Sequence, residues 1–177
     1  EPYVARANGD GFTAVTIRPA TVCGYSPKMR LDLTVNILTM SALTKGKITV
    51  FGGGQKRPNI HIEDITDYYV NLLEIAPEKI AGKIFNAGYE NFTVMEIAQM
   101  VKEIIGNNVS IEVTPTNDNR SYHISSANIE RELGLKPSHT IKDAVLDIKN
   151  ASEKGNLDWN EINFYNVKKM KTLVGKV

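Results

Sequence analysis

Arg57 is the residue of this chain best placed to bind an anionic ligand. It follows a run of glycines at positions 52–54, within the segment ITVFGGGQKRPNIHIEDITDYYV of residues 48–70. A guanidinium group can donate two parallel hydrogen bonds to phosphate oxygens, and glycines let a backbone approach a ligand closely. We therefore expect Arg57 to grip a phosphate or diphosphate. The alternative is a solvated surface arginine.

Other titratable residues give weaker signals. The HIED segment could serve a metal or acid–base role through His61, Glu63 and Asp64, but no second His or Cys stands at ligand spacing, which favours a structural histidine. The two acids fit a helix N-terminus, where negative charge is favourable. Cys23 has no evident base partner and cannot form an internal disulfide, which indicates an inert thiol and a reducing cytoplasm. No metal site is expected.

Composition limits the classes of partner. The 177 residues are 42% hydrophobic, enough for one compact core or a small two-lobed body, and the net charge is +1. This balance gives no electrostatic reason to bind nucleic acid or an acidic membrane, and the lysines of positions 168–171 are typical of a solvated helix face. The chain begins at Glu1 with neither Met nor a leader, so we expect a fragment boundary there.

The elements that must position these residues alternate in type. The patterns predict strands over 12–17, 48–51, 84–87 and 109–113, with loops after residue 17 and after residue 51. They predict helices over 2–7, 31–43, 125–133, 140–151 and 161–173, one beginning at Glu63, and one that Thr93 caps in a box with Glu96. Strands alternating with helices indicate an α/β fold, with too few strands for a complete doubly wound sheet.

Four segments carry a family resemblance. They are IRPATVCG (17–24), the segment 48–70 quoted above, NAGYENFTVMEIAQMV (86–101) and DNRSYHISSANIERELGLKP (118–137). In this order and spacing they resemble the C-terminal half of extended short-chain dehydrogenase/reductases, the NAD-dependent epimerase/dehydratase family. The resemblance covers nearly the whole chain. It implies part of a Rossmann fold over 1–30 and 60–90, and a small substrate-binding lobe mainly over 31–59 and 91–177.

The resemblance also implies roles for single residues around a nucleotide sugar and NAD or NADP. Pro19 and Ala20 would lie against the nicotinamide, and Thr21 would face the phosphates. Arg57 would contact the substrate diphosphate. Many relatives have Asn at the position of Thr21 and Asp at the position of Pro58, so these contacts need not be identical here.

Further substrate contacts follow from the same resemblance. Val50 and Phe51 match a strand beside the nucleotide base, although Phe51 is equally well explained as a core aromatic. Asn36 matches a position that reaches the nucleotide. Asp118 and Arg120 match an acidic and a basic position that hold the ribose and the phosphates.

The catalytic residues of the family are expected outside this chain. No G-x-G-x-x-G or G-x-x-G-x-x-G turn is present, and residues 1–7 resemble the last turns of the helix that bears the family's Tyr-x-x-x-Lys pair. We therefore expect no such pair in the chain, NAD or NADP bound mainly by other residues, and no catalysis by the chain alone. The resemblance is compatible with a homodimer of the full-length protein. Two alternatives are a reductase of a non-nucleotide carbonyl substrate and a non-catalytic binding module.

Overall fold

The computed structural model describes residues 1–9, 11–117 and 120–175, which form an α/β fold. The strands are β1 (Thr16–Pro19), β2 (Thr21–Cys23), β3 (Lys47–Phe51), β4 (Lys56–His61), β5 (Ile84–Ala87), β6 (Glu90–Thr93) and β7 (Ser110–Thr114). The helices are α1 (Pro2–Arg6), α2 (Thr34–Lys45), α3 (Ile62–Glu74), α4 (Pro77–Ile80), α5 (Val94–Ile105), α6 (Ala127–Leu133), α7 (Ile141–Glu153) and α8 (Asn166–Val174), with a 3₁₀ turn at Ile162–Phe164 before α8.

The strands pair into three small sheets. In the first, β1 and β5 are parallel; in the second, β4 lies between parallel β2 and antiparallel β6; in the third, β3 and β7 are parallel. Parallel neighbours need a crossover connection, which helices supply here. The register of the second sheet places Thr21 opposite Asn59. Arg57 lies two residues before Asn59 on the same strand, so the sheet itself brings Thr21 and Arg57 near each other.

Among the described residues, three apolar clusters form the core. The largest joins α2, α5 and α7 to strand β3, and its centre includes Ile48, Ile97 and Val145, all fully buried. A second cluster lies between β1, β4, β5, α3 and α6, with Phe85 and Ile129 at its centre. The third packs the segment after α7 against Leu31. Helix α6 thus packs in the cluster formed by β1, β4, β5 and α3. Most of the later chain packs around α5 and α7 instead.

Sequence signals at the helix ends explain several boundaries. Thr93 and Glu96 form a reciprocal capping box at α5, and Thr140 and Asp143 form another at α7. Helix α6 ends at Gly134, whose left-handed conformation (φ 71°) glycine adopts without steric cost. Of the two serines expected to cap α6, Ser126 is the N-cap but makes no side-chain capping hydrogen bond, whereas Ser125 Oγ accepts from the amide of Ala127 at 3.3 Å.

Some predicted boundaries were wrong. The strand expected over 12–17 begins only at Thr16, because Phe12 is paired with Gly9 in a tight turn and the side chain of Asn8 accepts the amide of Ala14 at 2.9 Å. The segments expected as loops after residues 17 and 51 contain β2 and β4. The hydrophobic pattern did not predict strand β4, because KRPNIH is mostly polar, although four of its residues are buried. Short β6 and α4 were also missed.

No helix among the described residues combines the length and the apolar character needed to cross a bilayer.

Candidate functional site

Two neighbouring clefts collect most of the expected site residues. Cleft A has a volume of about 520 Å³ and is lined by Pro19, Ala20 and Thr21, together with Arg30 and Tyr122. Its floor is the link between β1 and β2, which lies at the carboxyl end of β1. Ligands of open α/β sheets bind at such strand ends. The structure therefore brings the three residues of the IRPATVCG segment to one concave surface.

Cleft B lies beside it, with a volume of about 450 Å³, between α2 and the β3–β4 turn. Arg57 and Phe51 line it, and Lys45 adds a second positive charge. Phe51 is 58% exposed, so it is not a core aromatic and offers a ring face to the cleft. Val50, its neighbour on β3, is fully buried in the largest core cluster. Alternation along a strand sends these two side chains to opposite faces.

Arg57 stands between the clefts in a fixed orientation. Its Nη1 donates to the backbone oxygen of Arg120 at 2.5 Å and to that of Lys56 at 3.0 Å. Its guanidinium lies 5.9 Å from the ring centroid of Tyr122, which lines cleft A. A planar cation over an aromatic face is held without losing its charge. The arrangement thus holds a cationic group where the two clefts approach each other.

A second link between the clefts is the pair of Arg30 and Asp32. Nε and Nη2 of Arg30 each donate to one carboxylate oxygen of Asp32 at 3.0 Å, and this bidentate bond raises the pKa of Arg30. Arg30 lines cleft A and Asp32 lines cleft B. In cleft A, Arg18 is likewise bound by both oxygens of the Glu1 carboxylate.

The remaining expected residues are placed differently. Asn36 is 2% exposed, and its amide is used internally: Oδ1 accepts from the amide of Gly24 at 3.2 Å and Nδ2 donates to the backbone oxygen of Arg30 at 3.0 Å. Asn36 thus shapes the loop bordering cleft A, and it lines a smaller adjoining cleft. Arg120 is exposed next to Arg57. Asp118 lies outside the described residues.

A histidine pair that the sequence did not reveal lies behind the clefts. His139 stacks on buried His61 with ring centroids 4.8 Å apart and an angle of 26° between the planes. Nδ1 of His139 is 2.8 Å from Asp64 Oδ1, and its Nε2 is 3.2 Å from Glu63 Oε2. Seventy-eight positions separate the two histidines in the sequence, which is why no local pattern indicated the pair. His61 itself is buried and N-caps α3, as a structural histidine does.

His61, Glu63 and His139 are close enough for their ligand atoms to lie within 4.8 Å of one another. A metal ion binds imidazole in the plane of the ring, however, and stacked rings direct their nitrogens side by side rather than to one point. Each histidine also already contacts protein groups, the amide of Glu63 for His61 and the carboxylate of Asp64 for His139. The arrangement is better suited to holding a proton than a metal ion.

Asp64 anchors this cluster. Burial alone would raise its pKa, but the amides of Ser138 and His139 and the His139 ring donate to the carboxylate and together lower that pKa. In return, hydrogen bonding to Asp64, opposed by some desolvation, raises the pKa of His139. Asp64 was expected to be only a helix N-terminal charge, yet it also joins α3 to the segment before α7.

One Tyr-x-x-x-Lys spacing does occur in the chain, Tyr165 with Lys169, so the expectation that the chain has none was wrong. The two side chains do not form an acid–base pair. The hydroxyl of Tyr165 donates to the backbone oxygen of Trp159 at 2.7 Å, and Lys169 Nζ donates to Asn163 Oδ1 at 2.6 Å. Burial raises the pKa of Tyr165, whereas a tyrosine that acts as a base needs a lowered pKa.

The parallel strand pairs and the cleft at the strand ends define an α/β protein. Comparison with known proteins specifies it further: residues 3–88 match the NAD dependent epimerase/dehydratase family. This is the family that the four motifs resemble, and its model matches the first half of the chain.

Individual relatives agree with this family. The chain is 30% identical over 132 residues to UDP-glucuronic acid decarboxylase 1 of Arabidopsis thaliana, an alignment that covers 68% of this chain and 28% of that protein. Among solved structures, RMD from Pseudomonas aeruginosa complexed with NADPH superimposes with a TM-score of 0.73 at 16% identity, covering 87% of this chain and 53% of that one.

UDP-glucuronic acid 4-epimerase from Bacillus cereus, in complex with UDP-glucuronic acid and NAD, has a TM-score of 0.67 at 22% identity, covering 79% of this chain and 45% of that one. UDP-glucose 4-epimerase from Thermotoga maritima, with UDP-glucose, has a TM-score of 0.70 at 20% identity, covering 86% and 50%. The chain thus spans about half the length of the structures it resembles. At these identities the likeness shows the α/β fold shared with Rossmann-type epimerases.

Proposed function

We propose that this chain forms the substrate-binding part of an NAD(P)-dependent nucleotide-sugar epimerase or dehydratase. In this proposal cleft B receives the nucleoside and cleft A receives the sugar, with the diphosphate crossing between them. The observation that carries the proposal is the position of Arg57, which lines cleft B and lies over Tyr122 of cleft A. A fixed guanidinium at that junction is where a bridging diphosphate needs neutralisation.

The charges of the two clefts support an anionic ligand. Lys45 and Arg57 line cleft B, whereas Arg18 and Arg30 line cleft A and are paired with the carboxylates of Glu1 and Asp32. Phe51 offers an exposed aromatic face on which a base can stack, as predicted from the family position. Relatives that bind UDP-glucose or UDP-glucuronic acid have the same fold.

In the proposal, NAD or NADP would contact the surface of cleft A. Pro19 is exposed and Ala20 is nearly buried on its floor, so both present apolar, uncharged surface to a flat ring. Bound NAD or NADP would accept a hydride from the sugar and return it. In the proposal this chain's residues bind and orient the sugar diphosphate, and they exclude water from the cleft, while the proton-transferring pair lies elsewhere in the full-length protein.

Binding of nucleotide sugars to the full-length protein tests the proposal. Titration calorimetry with the glucose conjugates of UDP, dTDP, GDP and CDP is expected to identify at least one ligand. Arg57→Ala is expected to weaken that ligand about 10- to 100-fold, because a charge-assisted hydrogen bond contributes about 1.5–3 kcal/mol. The matched control is Arg131→Ala, an arginine of α6 whose side chain is 66% exposed and which lines neither cleft.

Unchanged affinity in Arg57→Ala would contradict the role of Arg57. If none of the four conjugates bound the wild-type protein, the nucleotide-sugar proposal would be wrong and a reductase of a non-nucleotide carbonyl compound, or a binding module, would take its place.

A further inference from the structure

The stacked histidines connect a titratable group to the wall of cleft A. His61, at the end of β4, lies directly beneath Gly24: a Cβ atom at Gly24 would stand only 2.9 Å from His61 Nε2. Gly24 has a φ of 105° and begins the loop of residues 24–30 that follows β2. That loop ends at Arg30, which lines cleft A. The position of the His61 ring therefore limits where this loop can lie.

His139 stacks on the His61 ring, with the ring centroids 4.8 Å apart. It belongs to the segment between α6 and α7, and its backbone amide donates to Asp64 Oδ2 at 3.0 Å while its ring nitrogen Nδ1 lies 2.8 Å from Oδ1. Glu63 approaches the other ring nitrogen at 3.2 Å. A ring fixed at both nitrogens and stacked on its neighbour has little freedom to rotate, so it fixes His61 in turn.

The groups around the pair are mainly acidic. Helix α3 contributes Glu63 and Asp64, and α7 contributes Asp143 and Asp147, the latter with Oδ2 at 3.2 Å from His61 Nε2. That contact is within ion-pair distance, but the two atoms are not oriented for a good hydrogen bond. The basic side chain nearest in the sequence, Lys142, extends instead to Glu103 at 3.3 Å. The acidic surroundings thus favour a positive charge on His139.

We propose that His139 is a proton-sensitive positioning residue: as a cation it clamps the His61 ring under Gly24, which fixes loop 24–30 and the Arg30 side of cleft A. This inference rests on the proposed function, because its readout is ligand affinity. Loss of the proton removes one donor to the Asp64–Glu63 pair, which frees the His139 ring to move. Nucleotide-sugar affinity should then fall as His139 deprotonates.

The sign follows from the raised pKa of His139, whose cause is the hydrogen bond to Asp64. The clamp is fully present below the unfolded-state value of about 6.5, and it is lost as the pH rises through the higher folded-state value. The change therefore falls on the alkaline side of 6.5. Over this range the diphosphate of a nucleotide sugar, esterified at both ends, keeps its charge.

Two measurements on the full-length protein test the assignment. In histidine-resolved NMR titration of the wild type, His139 is expected to titrate above the ordinary histidine value of about 6.5. With the best-binding nucleotide sugar of the four tested above, affinity is expected to fall about two- to tenfold through the His139 titration, the range of coupling carried by a packed network. His139→Gln should remove this pH dependence, and the control His123→Gln should keep it.

Each outcome decides the matter. Titration of His139 at or below about 6.5, or an unchanged pH dependence in His139→Gln, would overturn the positioning role while nucleotide-sugar binding persists. Absence of binding at every pH would overturn the proposed function and this inference together. The NMR titration needs no substitution, so a poorly folding variant leaves the first criterion in force.

Discussion

Two regions of the molecule differ in how completely their apolar residues are enclosed. In the helical lobe, formed by α2, α5, α7 and the β3–β7 pair, Ile97 at the centre is fully buried. In the β1–β5 layer, formed by β1, β5, α3 and α6, Ile84 is 41% exposed and Leu73 of α3 is 87% exposed. Parallel strands are normally covered on both faces. The helical lobe therefore provides most of the enclosed core, and the layer leaves apolar surface open.

The difference in enclosure between the two regions bears on the proposed ligand binding. The proposed diphosphate contact, Arg57, lies on β4; cleft A is lined in part by β1 and β5, and cleft B by α2 and β3. A ligand that crosses the clefts would thus join the two regions. A well-enclosed lobe can hold one end of such a ligand rigidly, whereas the layer depends more on what covers its exposed face.

The largest expected effect compares one substitution in both regions. Ile97→Ala is expected to lower the free energy of unfolding by about 2–5 kcal/mol, because it leaves a cavity in a closely packed core. Ile84→Ala removes the same atoms from a half-exposed strand position and should cost about 1 kcal/mol or less. Urea denaturation followed by circular dichroism measures both. Equal losses would show that the layer is enclosed as well as the lobe.

A second comparison uses two glycines with positive φ. Gly24→Ala is expected to cost about 2–4 kcal/mol, because a left-handed alanine costs about 1–2 kcal/mol and its Cβ would collide with the His61 ring. Gly82, before β5 in the layer, has a φ of 70° but its nearest neighbour to a Cβ is 3.7 Å away. Gly82→Ala should therefore cost only the backbone term of about 1–2 kcal/mol.

Urea denaturation also measures the free energies of unfolding of Gly24→Ala and Gly82→Ala. If Gly24→Ala were no worse than Gly82→Ala, the ring of His61 would have room to move and would not support loop 24–30.

The sequence was most informative where local chemistry decides structure. The capping box of Thr93 and Glu96, the stop at Gly134 and strand β5 follow from adjacent residues, and all were predicted correctly. Strand β4 was missed because its polar residues are buried only through pairing with β2 and β6. Long-range pairing of this kind leaves no period in the sequence.

The same limit applies to the site. Arg57 was predicted as a phosphate contact from the glycines and the family motif around it; the structure places it at cleft B, near Tyr122 of cleft A, and the contact itself stays a prediction. His139 was not identifiable, because its partners His61 and Asp64 lie on β4 and α3, far away in the sequence. Nothing in the sequence near Asn36 indicated that its side-chain amide would hydrogen-bond to the backbone of Gly24 and of Arg30.

The smallest expected effect concerns how helices begin in the two regions. Thr140 starts α7 of the helical lobe, where its Oγ1 accepts from the amide of Asp143 and the Asp143 carboxylate accepts the Thr140 amide at 2.7 Å. Thr140→Ala should cost about 1 kcal/mol, the usual loss for an N-cap. Ser125, before α6 of the layer, is exposed and accepts only the Ala127 amide at 3.3 Å, so Ser125→Ala should cost less than about 0.5 kcal/mol.

Amide hydrogen exchange can separate these two small effects by region. Thr140→Ala is expected to speed exchange in the first turns of α7, and Ser125→Ala to leave α6 nearly unchanged, because α6 begins without a side-chain cap. Because Thr140 directly follows His139, exchange in α7 should also quicken in His139→Gln if the clamp and the cap act on the same helix end. If the two substitutions quickened exchange in α6 but not in α7, the expected order would be wrong: the α6 start would depend on its serine more than the α7 start depends on Thr140.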